Sequence, residues 1–346
     1  MQTYLNQTGV PLSMAVYFAH DSYDRHANTI SATGLLKSIR QAVITPRIPT
    51  IQQSVDVLDV VKSRTGTAVH DGVERAWSHG NHREAMRKLG YNESLIDRIV
   101  VNHAKLLTQA GYNVSSLEKN KTYISRDPLP SNPIPVYMEI RGFRQFMGKT
   151  ISGKFDFIGD GGLEDTKTTS AFSWIYGSKT EDYQLQGSIY RWLHQNLVTR
   201  DVMTIQFIFT DWSPGKAKQE KHYPQRITEK LEIPLLDISD TEDFIRDKLT
   251  AYELHKDEDE VSLPSCTDKE LWRKDPVFKY YKNPASRKRS TKNFTTAQEA
   301  HTRLIEDGNV GIVVQQPGEV IACRYCSAFA GCSQKDRLIA DGSLKL

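Results

Sequence analysis

The residues best suited to chemistry lie within residues 153–169, where two aspartates and a lysine flank a glycine-rich segment. Alternate side chains of a strand share a face, so Asp165 and Lys167 point the same way. A turn at residues 159–162 folds one strand back on the next and brings Asp156 beside them. Carboxylate oxygens hold Mg²⁺ or Mn²⁺, which polarise phosphate and lower the pKa of bound water, and a nearby lysine orients that water. The trio predicts phosphodiester hydrolysis; the alternative is an ordinary cross-strand ion pair.

A strand-rich region positions these residues. Extended patterns over residues 136–143, 150–158 and 163–169 predict consecutive antiparallel strands, with a glycine hairpin between the last two. A helix over residues 181–196 follows, and then a buried strand at residues 203–210. Together these elements predict a compact α/β core.

Helical patterns precede the strands. Residues 35–43 predict a short helix that prolines end. A second helical region follows, with a break expected near Gly66, and a helix over residues 69–77 places His70 and Glu74 on one face.

Three motifs in order resemble those of the PD-(D/E)XK nucleases in their RecB-like form. Residues 153–167 match Gly-x-x-Asp followed by Glu-Asp-x-Lys. Residues 66–74, Gly-Thr-Ala-Val-His-Asp-Gly-Val-Glu, are similar to the helix-borne histidine motif, and residues 186–190 match Gln-x-x-x-Tyr. The resemblance covers the chain from about residue 66 to residue 332 and implies a restriction-endonuclease-like α/β core, a mixed sheet flanked by helices.

The resemblance implies a role for each matched residue. The implied ligands of Mg²⁺ or Mn²⁺ are His70, Asp156, Asp165 and the backbone of Thr166. The implied catalytic residues are Asp156, Asp165, Lys167, Gln186 and Tyr190. Glu139, on the preceding predicted strand, is a candidate further acidic residue. The alternatives are that His70 is a hydrogen-bonded structural residue and that the Gln186 and Tyr190 side chains edge the core.

The four cysteines form a second candidate site. Cys323, Cys326 and Cys332 lie in one short segment, and Cys266 is the fourth. Clustered thiolates in a reducing compartment more often hold metal than form disulfides. RecB-like nucleases with such a carboxy-terminal trio often bind a [4Fe-4S] cluster that holds the nuclease domain closed, so the resemblance implies iron-sulfur, with structural zinc second and merely buried cysteines third. In those relatives the first cysteine precedes the nuclease motifs, whereas Cys266 follows them.

Nucleic-acid contacts are predicted in a basic and aromatic stretch over residues 272–292, where lysines would follow phosphates and tyrosines would stack on bases. The predicted contact residues are Lys279, Tyr280, Tyr281, Lys282, Arg287, Lys288 and Arg289. A solvated surface loop explains the same composition. The net charge of the chain, +3 from 45 basic and 42 acidic residues, neither requires nor excludes DNA, so any binding charge must be local.

The predicted organisation is an amino-terminal helical arm at residues 1–60, a nuclease core at residues 61–236 and a helical, cysteine-bearing extension at residues 237–346. Lacking an apolar span and a leader pattern, the chain is expected to be cytoplasmic, in a bacterial or phage-infected cell, with no membrane partner. The implied function is a metal-dependent exonuclease acting on DNA ends in recombination, repair or phage DNA processing, with a recombination protein as a candidate partner. The alternatives are a structure-selective or nicking endonuclease, and a non-catalytic DNA-binding or assembly factor.

Overall fold

The computed structural model describes residues 3–20, 26, 28–49, 54–177 and 179–346. The α-helices are α1 (Leu12–Ala19), α2 (Ala32–Leu35), α3 (Ile39–Ile44), α4 (Val61–Trp77), α5 (Asn81–Lys88), α6 (Glu93–Ile96), α7 (Ala104–Gln109), α8 (Val114–Lys119), α9 (Ala171–Tyr176), α10 (Thr180–Leu193), α11 (Pro214–Gln219), α12 (Ile238–His255), α13 (Ala297–Glu306) and α14 (Ser333–Ala340). The strands are β1 (Tyr4–Leu5), β2 (Thr29–Ser31), β3 (Val55–Asp56), β4 (Ile99–Val101), β5 (Ile134–Met138), β6 (Arg141–Phe146), β7 (Lys149–Lys154), β8 (Phe157–Gly159), β9 (Gly162–Thr169), β10 (Val202–Phe209), β11 (Thr228–Pro234), β12 (Val277–Tyr281), β13 (Lys292–Phe294) and β14 (Ile312–Gln316). None of the helices within these ranges combines the length and apolar character that a membrane crossing requires.

The chain divides into two compact units. The larger, which we call the core unit, contains the described residues up to Leu36 and residues 54–249. The smaller, which we call the cysteine unit, contains the described part of residues 37–53 together with residues 250–346. The division differs from the sequence-based one, because residues 1–60 contribute to both units instead of forming an arm of their own.

The first predicted helix is split at this division. Residues 35–43 form the end of α2 and most of α3, because the Ser38 hydroxyl accepts a hydrogen bond from the Gln41 amide at 3.1 Å and so caps a new helix. By contrast, the break expected near Gly66 is absent, and α4 runs unbroken from Val61 to Trp77. A single glycine costs a helix only about 1 kcal/mol, which the rest of a 17-residue helix outweighs.

A six-stranded mixed sheet forms the centre of the core unit, in the order β11-β10-β9-β8-β5-β4. Strand β9 lies in its interior, parallel to β10 and antiparallel to β8. Along β9 the side chains alternate as predicted, with Leu163 and Asp165 buried and Glu164 exposed. The core unit is therefore of the mixed α/β class, with sheets flanked by helices.

Two corners divide the predicted strands between this sheet and a second one, β2-β7-β6. The strand predicted over residues 136–143 breaks at Glu139, whose φ of 52° is incompatible with extended chain. The strand predicted over residues 150–158 likewise ends at Lys154 and resumes at Phe157. The corners are joined where the Glu139 amide donates to the Asp156 carbonyl at 3.3 Å. Each corner thus holds a carboxylate at the junction of two sheets.

The glycine hairpin forms as predicted. Strands β8 and β9 are joined by Asp160 and Gly161, with φ of 46° and 78°, the left-handed pair that a two-residue hairpin turn requires. Behind the sheet, Phe155, Trp192 and Phe207 are almost wholly buried in one hydrophobic core. Helix α10 contributes to that core and so has a fixed position over the strands.

The cysteine unit contains its own antiparallel sheet, in the order β13-β12-β14. Strand β12 is central, and Tyr280 is fully buried at 0% exposure, with its hydroxyl donating to Asp307 Oδ2 at 2.8 Å. A separate apolar cluster packs α3 residues such as Val43 and Ile44 against Leu263 and Ala328. Residues from both ends of the chain therefore share the packing of this unit.

Candidate functional site

Three side chains converge at the corners of the core sheets. Helix α4 supplies His70, and the two corners supply Glu139 and Asp156. One ligand atom from each lies within 4.8 Å of the others, the one such grouping of His, Cys, Asp or Glu within the described ranges. One imidazole nitrogen and two carboxylate oxygens at this spacing suit a hard divalent cation. This donor set fits the Mg²⁺ or Mn²⁺ that the motifs imply.

Asp165 and Lys167 form an adjacent pair on β9. Lys167 Nζ lies 2.6 Å from Asp165 Oδ2. Asp165 is only 3% exposed, so this ion pair holds a carboxylate in the interior. A buried carboxylate beside a lysine is consistent with a ligand role for Asp165.

Asp156 joins the two groups. Its Oδ2 lies 3.1 Å from His70 Nδ1 and accepts a hydrogen bond from the Thr166 amide at 3.1 Å. Asp156 therefore contacts the backbone of the strand that carries Asp165 and Lys167, whereas the Asp165 carboxylate is not part of the group that His70, Glu139 and Asp156 form. The Thr166 backbone contacts the site through its amide hydrogen, which it donates to Asp156.

Gln186 and Tyr190 approach the pair from α10. Lys167 Nζ donates to Gln186 Oε1 at 3.3 Å, and Gln186 Nε2 donates to the Tyr190 hydroxyl at 2.9 Å. The Lys167 ammonium also lies 5.5 Å from the centre of the Tyr183 ring. This chain of contacts holds the Lys167 ammonium in one orientation.

Burial raises the pKa of two carboxylates of the site, Asp165 and Glu139. Burial raises the pKa of Asp165 to about 6, against the opposing effect of Lys167. Burial also raises the pKa of Glu139, although Lys154 pairs with it. The hydrogen bond to Asp156 raises the pKa of His70. A cation that replaces this proton on His70 would relieve the crowded negative charge, so metal binding is favoured over protonation as pH rises.

A cavity of about 930 Å³ opens onto this group within the core unit. His70, Glu139, Asp156 and Tyr190 line it, together with polar residues from the amino-terminal segment and from α4. Asp165, Lys167 and Gln186 are not among the lining residues. The three converging ligands are therefore accessible from the cavity, whereas Asp165 and Lys167 do not line it.

The four cysteines lie together in the cysteine unit. None is in a disulfide, and all are partly buried. Burial, and then the charges of Cys326, Cys332 and Cys266, raise the pKa of the Cys323 thiol to about 11, which places the four in mutual electrostatic reach. As thiolates, the four side chains would repel one another. Four neighbouring thiolates are a donor set that fits a soft metal or an iron-sulfur cluster.

Helix α3 contacts this cluster with two polar side chains. Arg40, only 2% exposed, donates from Nε to Cys332 Sγ at 3.2 Å. The Cys266 thiol donates to Ser38 Oγ at 3.3 Å. Arg40 also pairs with Glu260 and donates to the Leu263 carbonyl at 2.9 Å. These partners were invisible in the sequence, because more than 200 residues separate Arg40 from each of them.

The predicted DNA-contact residues separate into two groups. Tyr280 and Tyr281 are 0% and 9% exposed and belong to the sheet of the cysteine unit, which corrects their predicted stacking role: neither ring offers a face to a base. Lys279 is partly buried, and the exposed members are Lys282, Arg287, Lys288 and Arg289. Alternation of basic and aromatic residues here reflects a two-sided strand, not a binding surface for bases.

Glu139 is the functional residue that sequence reasoning left unassigned. Its signal was a charged residue next to the buried run of β5, where Val136, Tyr137 and Met138 are apolar. Its place in the ligand group depends on the corner that its positive φ produces. Lys154, its ion-pair partner on β7, was likewise not identified.

Comparison with known proteins gives little further information. No family model matches the chain, and no curated protein matches it. Among solved structures, the chain is similar to that of SSO0001, with 15% identity over 72% of this chain and 89% of that one, at a TM-score of 0.37. It is also similar to a phage-related exonuclease from Haemophilus somnus 129PT, with 17% identity over 51% of this chain and 81% of that one, at a TM-score of 0.25. Both TM-scores are below 0.5, so we base no argument on either likeness.

Proposed function

We propose that this protein is a divalent-metal-dependent DNA exonuclease of the PD-(D/E)XK type. The observation that carries the proposal is the convergence of His70, Glu139 and Asp156 within 4.8 Å, next to the Asp165 and Lys167 pair. The motif order in the sequence supports it independently. A DNA-binding factor without catalysis has no need for three converging metal-ligand side chains beside a buried ion pair.

Each residue has a defined task in the proposed reaction. His70, Glu139 and Asp156 would hold Mg²⁺ or Mn²⁺, with Asp165 as an additional acidic ligand. The ion would polarise the phosphate and lower the pKa of water. Lys167, held by Gln186, would orient the attacking water or stabilise the charge that develops on phosphate. Tyr190, in turn, fixes Gln186 through its hydroxyl.

A lysine substitution tests the proposal. We expect wild-type protein to degrade linear DNA in Mn²⁺ and Lys167→Ala to lose this activity by a factor on the order of 10² or more, because no other group replaces the ammonium. The rate is followed by release of labelled nucleotides, and circular dichroism checks that the variant remains folded. Lys218→Ala, at an exposed lysine of α11, is the matched control. Full activity in the Lys167 variant would overturn the assignment.

The exonuclease assignment has its own test. A closed circular DNA of the same sequence should remain intact while the end-labelled linear form is degraded. Cleavage of both at equal rates would favour the structure-selective or nicking endonuclease instead.

We propose that the four cysteines hold a [4Fe-4S] cluster. All four are free, partly buried thiols, a donor set that suits such a cluster, with structural zinc as the alternative.

The exposed basic residues Lys282, Arg287, Lys288 and Arg289 are proposed to contact the phosphate backbone without reading bases. Neutralising them should weaken DNA binding to a similar extent on every sequence and reduce its salt dependence.

A further inference from the structure

A buried cation, Arg40 of helix α3, has no role in the proposed nuclease reaction. Its side chain is only 2% exposed, and burying a charge is costly unless acceptors surround it. All three guanidinium nitrogens have acceptors: Nε donates to Cys332 Sγ at 3.2 Å, Nη1 donates to the Leu263 carbonyl at 2.9 Å, and Nη2 pairs with the Glu260 carboxylate. The guanidinium is therefore held in one orientation, with one N–H directed at one of the four cysteines.

The Glu260 carboxylate ties Arg40 to the chain beside that cysteine. Besides pairing with the guanidinium, it accepts hydrogen bonds from the Ser333 amide and hydroxyl, at 2.8 and 3.1 Å. Ser333 follows Cys332 directly and is the first residue of α14. Arg40 Nη2 also donates to the Ser333 hydroxyl at 3.3 Å. The Cys332 sulfur and the guanidinium are therefore fixed relative to each other by several contacts.

The N–H···S contact at Cys332 has a chemical preference. A neutral thiol is a weak acceptor, whereas a thiolate carries the negative charge that makes a hydrogen bond from a guanidinium strong. Cysteines bind metals and iron-sulfur clusters as thiolates. The arrangement is therefore most favourable when Cys332 is a ligand, because the buried charge of Arg40 then faces a buried negative charge.

Ser38 makes a second contact between α3 and the four cysteines. It is 8% exposed, and its Oγ lies 3.3 Å from Cys266 Sγ, which donates to it as a thiol. A hydroxyl can donate as well as accept, so Ser38 can donate to the same sulfur once Cys266 is a thiolate. Ser38 and Arg40 are two residues apart and contact different cysteines. One short segment therefore provides donors to two of the four sulfurs.

We propose that Arg40 and Ser38 are positioning residues of the [4Fe-4S] site, each of which donates a hydrogen bond to the thiolate that it contacts. This inference rests on the cluster proposed above. Neither residue is a ligand, and both act through sulfur atoms. Hydrogen bonds to the sulfurs and nearby charge help to set the reduction potential of an iron-sulfur cluster, and a positive charge favours the reduced form, which carries one more electron. Arg40 therefore raises the reduction potential, and Ser38 adds a smaller effect of the same sign.

The reduction potential of the cluster tests the role of Arg40. In an anaerobic titration, dithionite adds one electron to each [4Fe-4S]²⁺ cluster, and electron paramagnetic resonance follows the reduced form. Arg40→Gln removes the positive charge, so we expect its potential to fall by at least a tenfold shift of the one-electron equilibrium, or about 59 mV. Arg40→Lys, which keeps the charge, should recover at least half of that shift. Iron content and circular dichroism check that each variant retains the cluster and folds.

Arg47 provides a matched control. Its guanidinium also joins the amino-terminal part of the cysteine unit to the chain after α12, because it donates to the Lys256 and Glu258 carbonyls at 2.6 and 2.8 Å. These acceptors are backbone oxygens and not sulfur, so Arg47→Gln should leave the potential within a twofold shift of wild type. An unchanged or raised potential in Arg40→Gln, or equal falls in both variants, would overturn the inference.

Ser38→Ala is the test if Arg40→Gln loses the cluster or fails to fold. It removes one hydrogen bond and no charge, so we expect at least a threefold shift of the same equilibrium towards the oxidised form. Ser327→Ala removes hydrogen bonds to Gln41 and Thr45 of the same segment but leaves the sulfur contacts in place, and its potential should stay at the wild-type value. An unchanged potential in Ser38→Ala would then overturn the inference. A wild-type protein without iron would instead overturn the proposed cluster, and the inference with it.

Discussion

Asp165 combines deep burial with a negative charge. Its partner Lys167 balances the charge only in part, and burial still raises the pKa of Asp165 to about 6. The folded protein would be more stable with a neutral side chain at this buried position. A carboxylate at this position is what the proposed role of Asp165 as a metal ligand would require.

The raised pKa of Asp165 predicts that the stability of the metal-free protein depends on pH. The folded chain keeps the Asp165 proton to higher pH than the unfolded chain, whose ordinary pKa is 3.8, so the unfolding free energy falls as pH rises from about 4 to about 6. Asp165→Asn removes this loss. Its stability relative to wild type should therefore grow across that window, by on the order of 2 kcal/mol.

The measurement is denaturant unfolding of both proteins in chelator at several pH values. Asp160→Asn, in the hairpin turn where the side chain is 67% exposed, should show no such trend. A constant difference between the Asp165 variant and wild type would contradict the argument. Added Mn²⁺ should stabilise wild type more than the Asp165 variant.

At this scale, strand alternation was sufficient to place Asp165 and Lys167 on one face, and the glycine turn was sufficient to add Asp156. Glu139 could not be placed in the same way. Its position depends on a positive φ and on a change of sheet, which are set by packing far from the local sequence. The burial of Tyr280 depends likewise on pairing with β14, more than thirty residues away.

Helix α10 reaches the site by packing closely on strand β7. A Cβ at Gly153 would meet Leu193 Cδ1 at 2.7 Å and carbon atoms of the Tyr190 ring at 3.0 Å. The absence of a side chain at this strand position therefore sets the distance between the helix and the sheet. The same distance determines where Gln186 and Tyr190 stand relative to Lys167.

Gly153→Ala should accordingly destabilise the protein by about 1–3 kcal/mol, since the extra methyl group must displace the helix or its side chains. It should also reduce DNA degradation. Gly72→Ala, where the added Cβ meets nothing, should have the opposite sign and stabilise by up to about 1 kcal/mol. Urea unfolding of both variants checks the contrast, and equal effects would refute it.

Elements were predicted well where the local pattern was strong, as in α10, β9 and β10. Predictions failed where tertiary structure decided the outcome. The strands predicted over residues 136–143 and 150–158 each contain a corner, because part of each belongs to the six-stranded sheet and part to the β2-β7-β6 sheet. The continuity of α4 through Gly66 shows the opposite case, in which a weak local breaker is overruled.

The whole molecule contains two units, and we propose a separate metal site in each. Binding of a cluster to four thiolates contributes to the folding free energy of the unit that holds them. We expect protein purified without oxygen to be brown and to contain iron. Cys326→Ser should lose the iron and increase amide hydrogen exchange in residues 250–346 before it affects residues 54–249.

Ser327→Ala is the matched control, because it removes the hydrogen bonds to Gln41 and Thr45 but keeps all four thiols. It should retain iron and lose only about 1 kcal/mol. Iron analysis and exchange measured peptide by peptide distinguish the variants. Zinc without iron would change the metal, and a protein with neither would refute the site.

The three regions drawn from the sequence did not anticipate the composition of these units. Linear reasoning places boundaries along the chain, whereas α3 joins residues that follow it by more than 200 positions. Nothing in the local pattern of residues 37–49 indicates this.

The guanidinium of Arg40 pairs with residues that are synthesised much later. Glu260 follows it by 220 residues and Cys332 by 292, and Cys266 follows its own partner Ser38 by 228. Until those residues are made, α3 is exposed to solvent and the Arg40 charge is unpaired. Meanwhile residues 54–249 can fold around their own core. Maturation of the thiol centre should therefore be a post-translational event, and nascent chains stalled before residue 260 should expose α3 to protease.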